Sequence, residues 1–568
     1  GQLRGSVDAV IVSQNAAQIT LPGSSVARLA EMPEVARMMA VPVMEPHLDK
    51  QDDSLGLRTG FWNDNVDGGV WDVGVLDTGV QQNHPSLDHL TFESTHGTTD
   101  SNGHGTKVAG IIASDHGTYR GMAYSLDNML VGDCISKSIK HGDWMVGDRS
   151  DDPEVISMSC GSSGSVSSDY SSSEKFWDAL VDNHRVLFIN SAGNTGDGTS
   201  TITRPATAYN LISVANVYDN DTTSRSDDFL RYTSARGPSF GGRKKPDLSA
   251  PGHNTKTTNN DWATSDDFVN FGGTSAAAPH VAGGAILVTD LRSNDDPKAT
   301  KAVLINSADA WDSNGKVNGS QWNKEFGWGY LNLGKAWLNG TDVFTHTIAE
   351  GGTEYKLYLG TMHAWEKATL VWHRHADYNG SSTPTQIADL TDLDLYAYRA
   401  TNGAKMDSSI SFVDNVEQVT VNADGEYVLK VKLIGDIDSS LPNQAYALAT
   451  EENFIQVDPP SLSAVAVDVV TPSGFPGLFP VQMIVLVTNS GDAPAGRTAI
   501  WPDAPNGWAA VPLIPELTVP GNTTLAFPIM VFSNCTSAGQ TGTIDITAVS
   551  GAYGEDYVAT TTGTVNCI

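Results

Sequence analysis

Between residues 55 and 340 the apolar positions follow two alternating rhythms. Runs of strand length, WDVGVLD (71–77), NMLVGD (128–133), PEVISMSC (153–160), RVLFINSAG (185–193) and LISVANV (211–217), are separated by stretches with helical spacing such as HGTKVAGIIAS and SEKFWDALVDN. That alternation predicts an α/β domain: a mostly parallel sheet with helices on both faces. Beyond 340 the rhythm changes to period two. TEYKLYLGT, KATLVWHRH, LDLYAYRA, EQVTVNADGEYVLKVKL and YALATE are broken only by turn residues, which predicts an antiparallel β domain ending near 455. DPPSLS (458–463) is a proline-bearing linker, and VQMIVLVTNSGDAPAG and TLAFPIMVFSN predict a second β-sandwich of immunoglobulin-like size. Ahead of all this, VDAVIVSQN reads as a strand, SSVARLAEMPEV as a short amphipathic helix and ARMMAVPVME as another strand. DKQDDSLG (49–56) reads as an exposed polar connector. The resulting division is 1–52, 53–342, 343–455 and 456–568.

Composition narrows the setting. The 568 residues carry 66 Asp and Glu against 34 Lys and Arg, a formal charge of −32, which disfavours nucleic acid or an anionic membrane as partner. No apolar run is long enough to span a membrane. The four cysteines lack zinc-ligand spacing; Cys535 and Cys567 bracket the last β stretch as a disulfide staple would.

In a parallel sheet, function gathers at the carboxyl ends of the strands. Asp77 ends one apolar run, Asn194 follows another, and His104 opens a helix between two glycines, which implies close approach by other backbone or a ligand. The stretch FGGTSAAAPHVAGG (271–284) puts Ser275 after a glycine turn and before residues too small to do more than pack. By itself Ser275 reads first as a helix N-cap, which is what most serines so placed are, and only second as a nucleophile. Together the four supply what acyl transfer requires. An imidazole takes the serine proton, a carboxylate holds the imidazole in its tautomer, and an amide with a backbone N–H receives the oxyanion.

DTG at Asp77, GHGT at His104, SAGN at Asn194 and GTSAAAPHVAG at Ser275 occur in the order Asp, His, Ser, and on these motifs residues 55–340 resemble the subtilisin-like serine proteases. SARGPS, GRKKPDLSAPG and FGWGYLNL fit the intervening segments of that family. The resemblance implies Ser275 as nucleophile, His104 as general acid and base, Asp77 as its orienting partner and Asn194 as oxyanion donor. It lays an extended peptide along Ser159, Cys160 and Gly161 and makes Ser191, Ala192 and Gly193 the far wall of an open S1 pocket, suited to a medium or large apolar side chain. Cys134 and Cys160 fall beside that cleft, as a disulfide or as two buried thiols. Ala276 replaces a frequent methionine, Lys107 a frequent histidine, and Ser86 an aspartate of a tight calcium site, which is therefore expected to be missing. DNDTTSRSDD (219–228) is expected to be solvated charge.

Two further resemblances are looser. DLTDLDLYAY and DNVEQVTV are similar to a jelly-roll domain that follows the catalytic domain in some bacterial alkaline subtilases; Asp389, Asp392, Asp394 and Asp414 are its candidate calcium ligands. Residues 1–52 resemble the later half of a prodomain, implying an intramolecular inhibitor removed by a cut around 45–60. The expectation is a secreted, monomeric endopeptidase of broad specificity acting on proteins or peptides. A binding protein on a vestigial scaffold would have lost at least one of the four polar groups.

Overall fold

A computed structural model describes residues 6–11, 16–20, 51–147, 152–162, 170–264, 267–317, 322–351, 354–378, 384, 386–474 and 479–568. Each of the five apolar runs forms a strand. The central sheet contains β3 (Asp72–Asp77), β4 (Thr91–Ser94), β5 (Asn128–Asp133), β6 (Val155–Met158), β7 (Leu187–Ser191), β8 (Ile212–Tyr218) and β10 (Leu248–Pro251), in the order β10-β8-β7-β6-β3-β5-β4. All seven run parallel; β9 (Phe229–Leu230) adds one antiparallel pair at β8. Preceding them, β1 (Ser6–Ile11) and β2 (Ala16–Thr20) form an antiparallel hairpin. The helix and second strand expected over 24–45 lie outside the described residues.

From β3 the chain passes to β4 at the sheet edge, returns to lay β5 between the two, then crosses over to place β6 on the other side of β3. The sheet therefore reverses direction at β3 and β6, where adjacent loops part at the carboxyl ends and leave a crevice. Helix α2 (His104–Ala113) follows β4, α3 (Cys134–Met145) follows β5, and α4 (Ser172–His184) precedes β7. The long α5 (Thr274–Arg292) lies buried against the sheet, and its small residues explain how. Ala276, Ala277, Ala278, Ala282 and Ala285 are fully enclosed, and a side chain at Gly283 would strike Met122 at 2.4 Å.

The expected exposed connector is corrected by the structure. Gln51–Leu55 is a short helix, α1, with Gln51, Asp52, Ser54 and Leu55 buried. Its polar groups are satisfied inside: Gln51 donates to Thr255 Oγ1 and contacts His280 Nε2 at 3.0 Å, and Arg58 pairs with Asp52 at 3.0 Å. Local polarity signals exposure only when no partner is folded over it.

Two all-β units follow. The first has sheets of four and five strands between Val343 and Val457, and the second has sheets of four and five strands between Leu462 and Cys567. The first packs on α6 (Pro297–Ser307), where Val371, Val416, Ala447 and Ala449 join the core of the α/β domain. Cys535 and Cys567 are bonded, with Cα atoms 5.7 Å apart.

Candidate active site

Asp77 closes β3 and is wholly buried. Its Oδ1 lies 2.6 Å from His104 Nδ1 and accepts the Thr78 N–H at 2.8 Å. Burial pushes the His104 imidazole down, but the hydrogen bond and charge of Asp77 outweigh it and hold the group above its ordinary value of 6.5. Phe271 packs edge-on against the His104 ring, with centroids 5.1 Å apart.

Both glycines beside His104 are required by contact. Gly103 caps α2 at φ 82°, and a Cβ there would lie 2.1 Å from Asn260 Oδ1; one at Gly105 would lie 2.1 Å from the Gly79 carbonyl. Sequence reasoning missed Asp100, which organises this turn. Its Oδ1 accepts from Thr78 Oγ1, Asn102 N and Gly103 N, while Oδ2 accepts from the Thr106 amide and hydroxyl. A carboxylate four residues ahead of the first turn of α2 was the available signal, since such a group satisfies orphan N–H groups and suits the helix dipole.

Ser275 is not the cap of α5. Gly273 is, at φ 97°, and Ser275 sits one residue inside the helix, 8% exposed. Four residues on, Pro279 has no N–H to give the Ser275 carbonyl. That carbonyl accepts instead from Ser159 Oγ at 2.9 Å, which ties the start of α5 to the segment leaving β6. The Ser275 hydroxyl donates to the Ser159 carbonyl at 3.4 Å and makes no bond to His104 among the described residues. The Ser275 N–H likewise meets no acceptor there, as expected in the first turn of a helix.

Asn194 is exposed, and its side chain is aimed by its oxygen. Oδ1 accepts from the Thr274 N–H at 3.0 Å and from Thr274 Oγ1 at 3.3 Å, which leaves the amide N–H₂ as the end not held by Thr274. Thr274 Oγ1 in turn accepts from Gly193 N at 3.2 Å. Ser191 and Ala192 are buried at the end of β7; Gly193 adopts φ 109°, and side chains at Gly193 or Gly161 would both strike Thr203. Buried Asn190 donates to the Met158 and Cys160 carbonyls, holding the segment Ser159, Cys160 and Gly161 beside β7. Cys134 and Cys160 form a disulfide, Cα atoms 6.4 Å apart.

The acids proposed for calcium are not gathered. Asp392 and Asp394 share one face of a strand, and burial together with the Asp394 charge pushes Asp392 up to about 6. Asp414 accepts from Lys244 N and Ser411 Oγ at the contact with the α/β domain, whereas Asp389 is exposed beside Asp438. Among the described residues no three of them come within 4.8 Å, so they do not fit a shared cation. Where the sequence departs at Ser86, His116, Tyr119 and Phe268 form an aromatic cluster with centroids 4.6–5.5 Å apart.

The arrangement provides a hydroxyl with free N–H groups around it and a basic imidazole anchored to a buried carboxylate. Residues 70–329 match the subtilase family (Peptidase_S8). The chain is similar to the serine protease AprX of Bacillus subtilis (strain 168), 29% identical over 273 residues covering 42% of this chain and 61% of that protein. It is also similar to the subtilisin of Bacillus sp. (strain TA39), 32% identical over 267 residues, 41% of this chain and 60% of that one. The chain thus spans less than two thirds of either relative. A solved cold adapted subtilisin-like serine proteinase is 27% identical and covers 47% of this chain and 90% of its own, with a TM-score of 0.35. Among the described residues no helix is long and apolar enough to cross a membrane.

Proposed function

We propose that the chain, whose residues 70–329 match the subtilase family, is a serine endopeptidase of that family working through an acyl-enzyme. The observation that carries this reading is the 2.6 Å contact between Asp77 and His104, which makes His104 a base held in one tautomer. Ser275 Oγ leaves the Ser159 carbonyl by rotation about its Cα–Cβ bond, gives its proton to His104 Nε2 and bonds to the scissile carbonyl carbon. The oxyanion is received by the Asn194 amide and the Ser275 N–H. His104 then protonates the leaving amine, and water hydrolyses the ester with His104 again as base.

The substrate lies along Ser159, Cys160 and Gly161, with its P1 side chain beside Ser191, Ala192 and Gly193. These small, uncharged walls support broad specificity with an apolar P1. The units read from the sequence as 1–52, 53–342, 343–455 and 456–568 shift at two boundaries: the second begins at Gln51, whose helix packs in the α/β domain, and the third runs to Val457, where its last strand ends. Residues ahead of Gln51 act as prodomain. Because α1 is built into the α/β domain, the maturation cut falls on the amino side of Gln51. The enzyme is secreted and monomeric, in keeping with its disulfides and net charge. The test is digestion of a denatured mixed proteome with sequencing of the new termini. Cleavage after varied apolar residues, with none from Ser275→Ala, is expected; cleavage confined to one motif, or surviving in Ser275→Ala, contradicts the reading.

A further inference from the structure

The Cys134–Cys160 bridge stands against the buried acid of the site. Cys134 follows β5, whose last residue Asp133 lies opposite Asp77, and Cys160 follows β6, the other neighbour of β3. The bond therefore joins the two strand ends that flank Asp77. A carboxylate oxygen of Asp77 and the two sulfurs lie within 4.8 Å of one another, and with both sulfurs bonded the trio is a wall rather than a metal centre. The Asp77 oxygens are served unequally. Oδ1 accepts from Thr78 and meets His104, whereas Oδ2 is buried with no donor among the described residues.

A disulfide has no hydrogen to donate, so it encloses the carboxylate without competing with His104. Two thiols in the same place would each carry an S–H donor. Such a donor at Oδ2 would draw carboxylate charge away from the imidazole and release the two strand ends from each other. We propose that the Cys134–Cys160 disulfide is a positioning element of the active site, which keeps the Asp77 carboxylate committed to His104. This rests on the assignment of Asp77, His104 and Ser275 as the reacting set. Opening the bridge slows the enzyme, and opening it to two thiols also makes His104 less basic.

The experiment uses the full chain with a chelator present throughout. A dithiol reductant supplies two electrons and two protons, leaves as its own disulfide, and converts the bridge into two thiols mapped by alkylation and mass. The reduced protein is compared with untreated protein, C134S/C160S, C134A/C160A and the remote control C535A/C567A. The expected result is a fall in kcat of about tenfold with KM little changed in the first three opened forms, as small misplacements near the reacting atoms produce. The acid limb of kcat/KM moves to lower pH in the reduced and serine forms, which place donors beside Asp77, and stays in the alanine form, which places none. The control keeps both kcat and limb. Reduction of already folded protein guards against variants that fail to fold. Unchanged kcat or an unmoved limb in the reduced protein, or the same losses in C535A/C567A, overturns the proposal. Failure of the untreated protein to react with a fluorophosphonate at Ser275 instead overturns the assignment on which it rests.

Discussion

Asn194 shows how a single exposed residue can be committed to a task. Its oxygen is occupied by Thr274, so its N–H₂ is the part left for a ligand. Asn194→Ala should lower kcat about 10²–10³-fold with little change in KM, the usual effect of removing one oxyanion donor; a change confined to KM would make Asn194 a substrate contact only. As the proposed base His104 must be neutral to act, and Asp77 holds it above 6.5 against the effect of burial. The rate should therefore fall as pH drops through a midpoint above 6.5, and Asp77→Asn should move that midpoint down along with a large loss of rate. A pH–rate profile of both proteins checks the sign. At this scale the sequence was informative where a residue type is rare in its setting: an acid ending an apolar strand, a histidine between glycines. Asp100 escaped because its five hydrogen bonds are local to a turn and leave no periodic trace. Ser275 admitted two readings because the capping residue, Gly273, has no side chain to betray it.

The elements that carry these residues were legible from periodicity, while their supports were not. The five apolar runs became β3, β5, β6, β7 and β8, yet β10 was not read as a strand because LSAP is short and ends in proline. Its neighbourhood is held by Asp247, which accepts from Ser213 N and Lys245 Nζ, both at 2.7 Å, and faces Lys301 Nζ at 3.4 Å. All three charged groups are buried, and burial pushes Lys245 down to about 8. Asp247→Ala strands two ammonium groups in the core and should cost about 3–5 kcal/mol, read by urea unfolding. A loss under about 1 kcal/mol would mean that the carbonyls of Tyr209 and Leu211, which also receive the lysines, suffice.

Across the whole molecule, the α/β domain and the first β unit share polar as well as apolar contacts. Thr369 donates to Asn306, Asn210 bonds the Arg374 backbone in both directions, and Asp182 receives His373 and His375. The Asp182 hydrogen bond outweighs burial and raises the pKa of His375, so this contact stabilises fully below 6.5 and is lost as pH climbs through the higher folded value. Thermal midpoints should fall over that range and do so less steeply in His375→Gln; parallel curves would show that the contact does not titrate. Nothing in the sequence predicted this seam, because it joins residues 63 to 193 positions apart and depends on both units having folded. The measurement that bears most directly on the whole account is fluorophosphonate labelling of the purified chain beside Ser275→Ala, with intact mass and N-terminus read for each. The expected result is one adduct at Ser275 and a chain trimmed to begin close to, and not beyond, Gln51, both in the unmutated protein only. A folded, trimmed protein that takes no label would mean that Asp77, His104 and Ser275 are present without forming a reactive set.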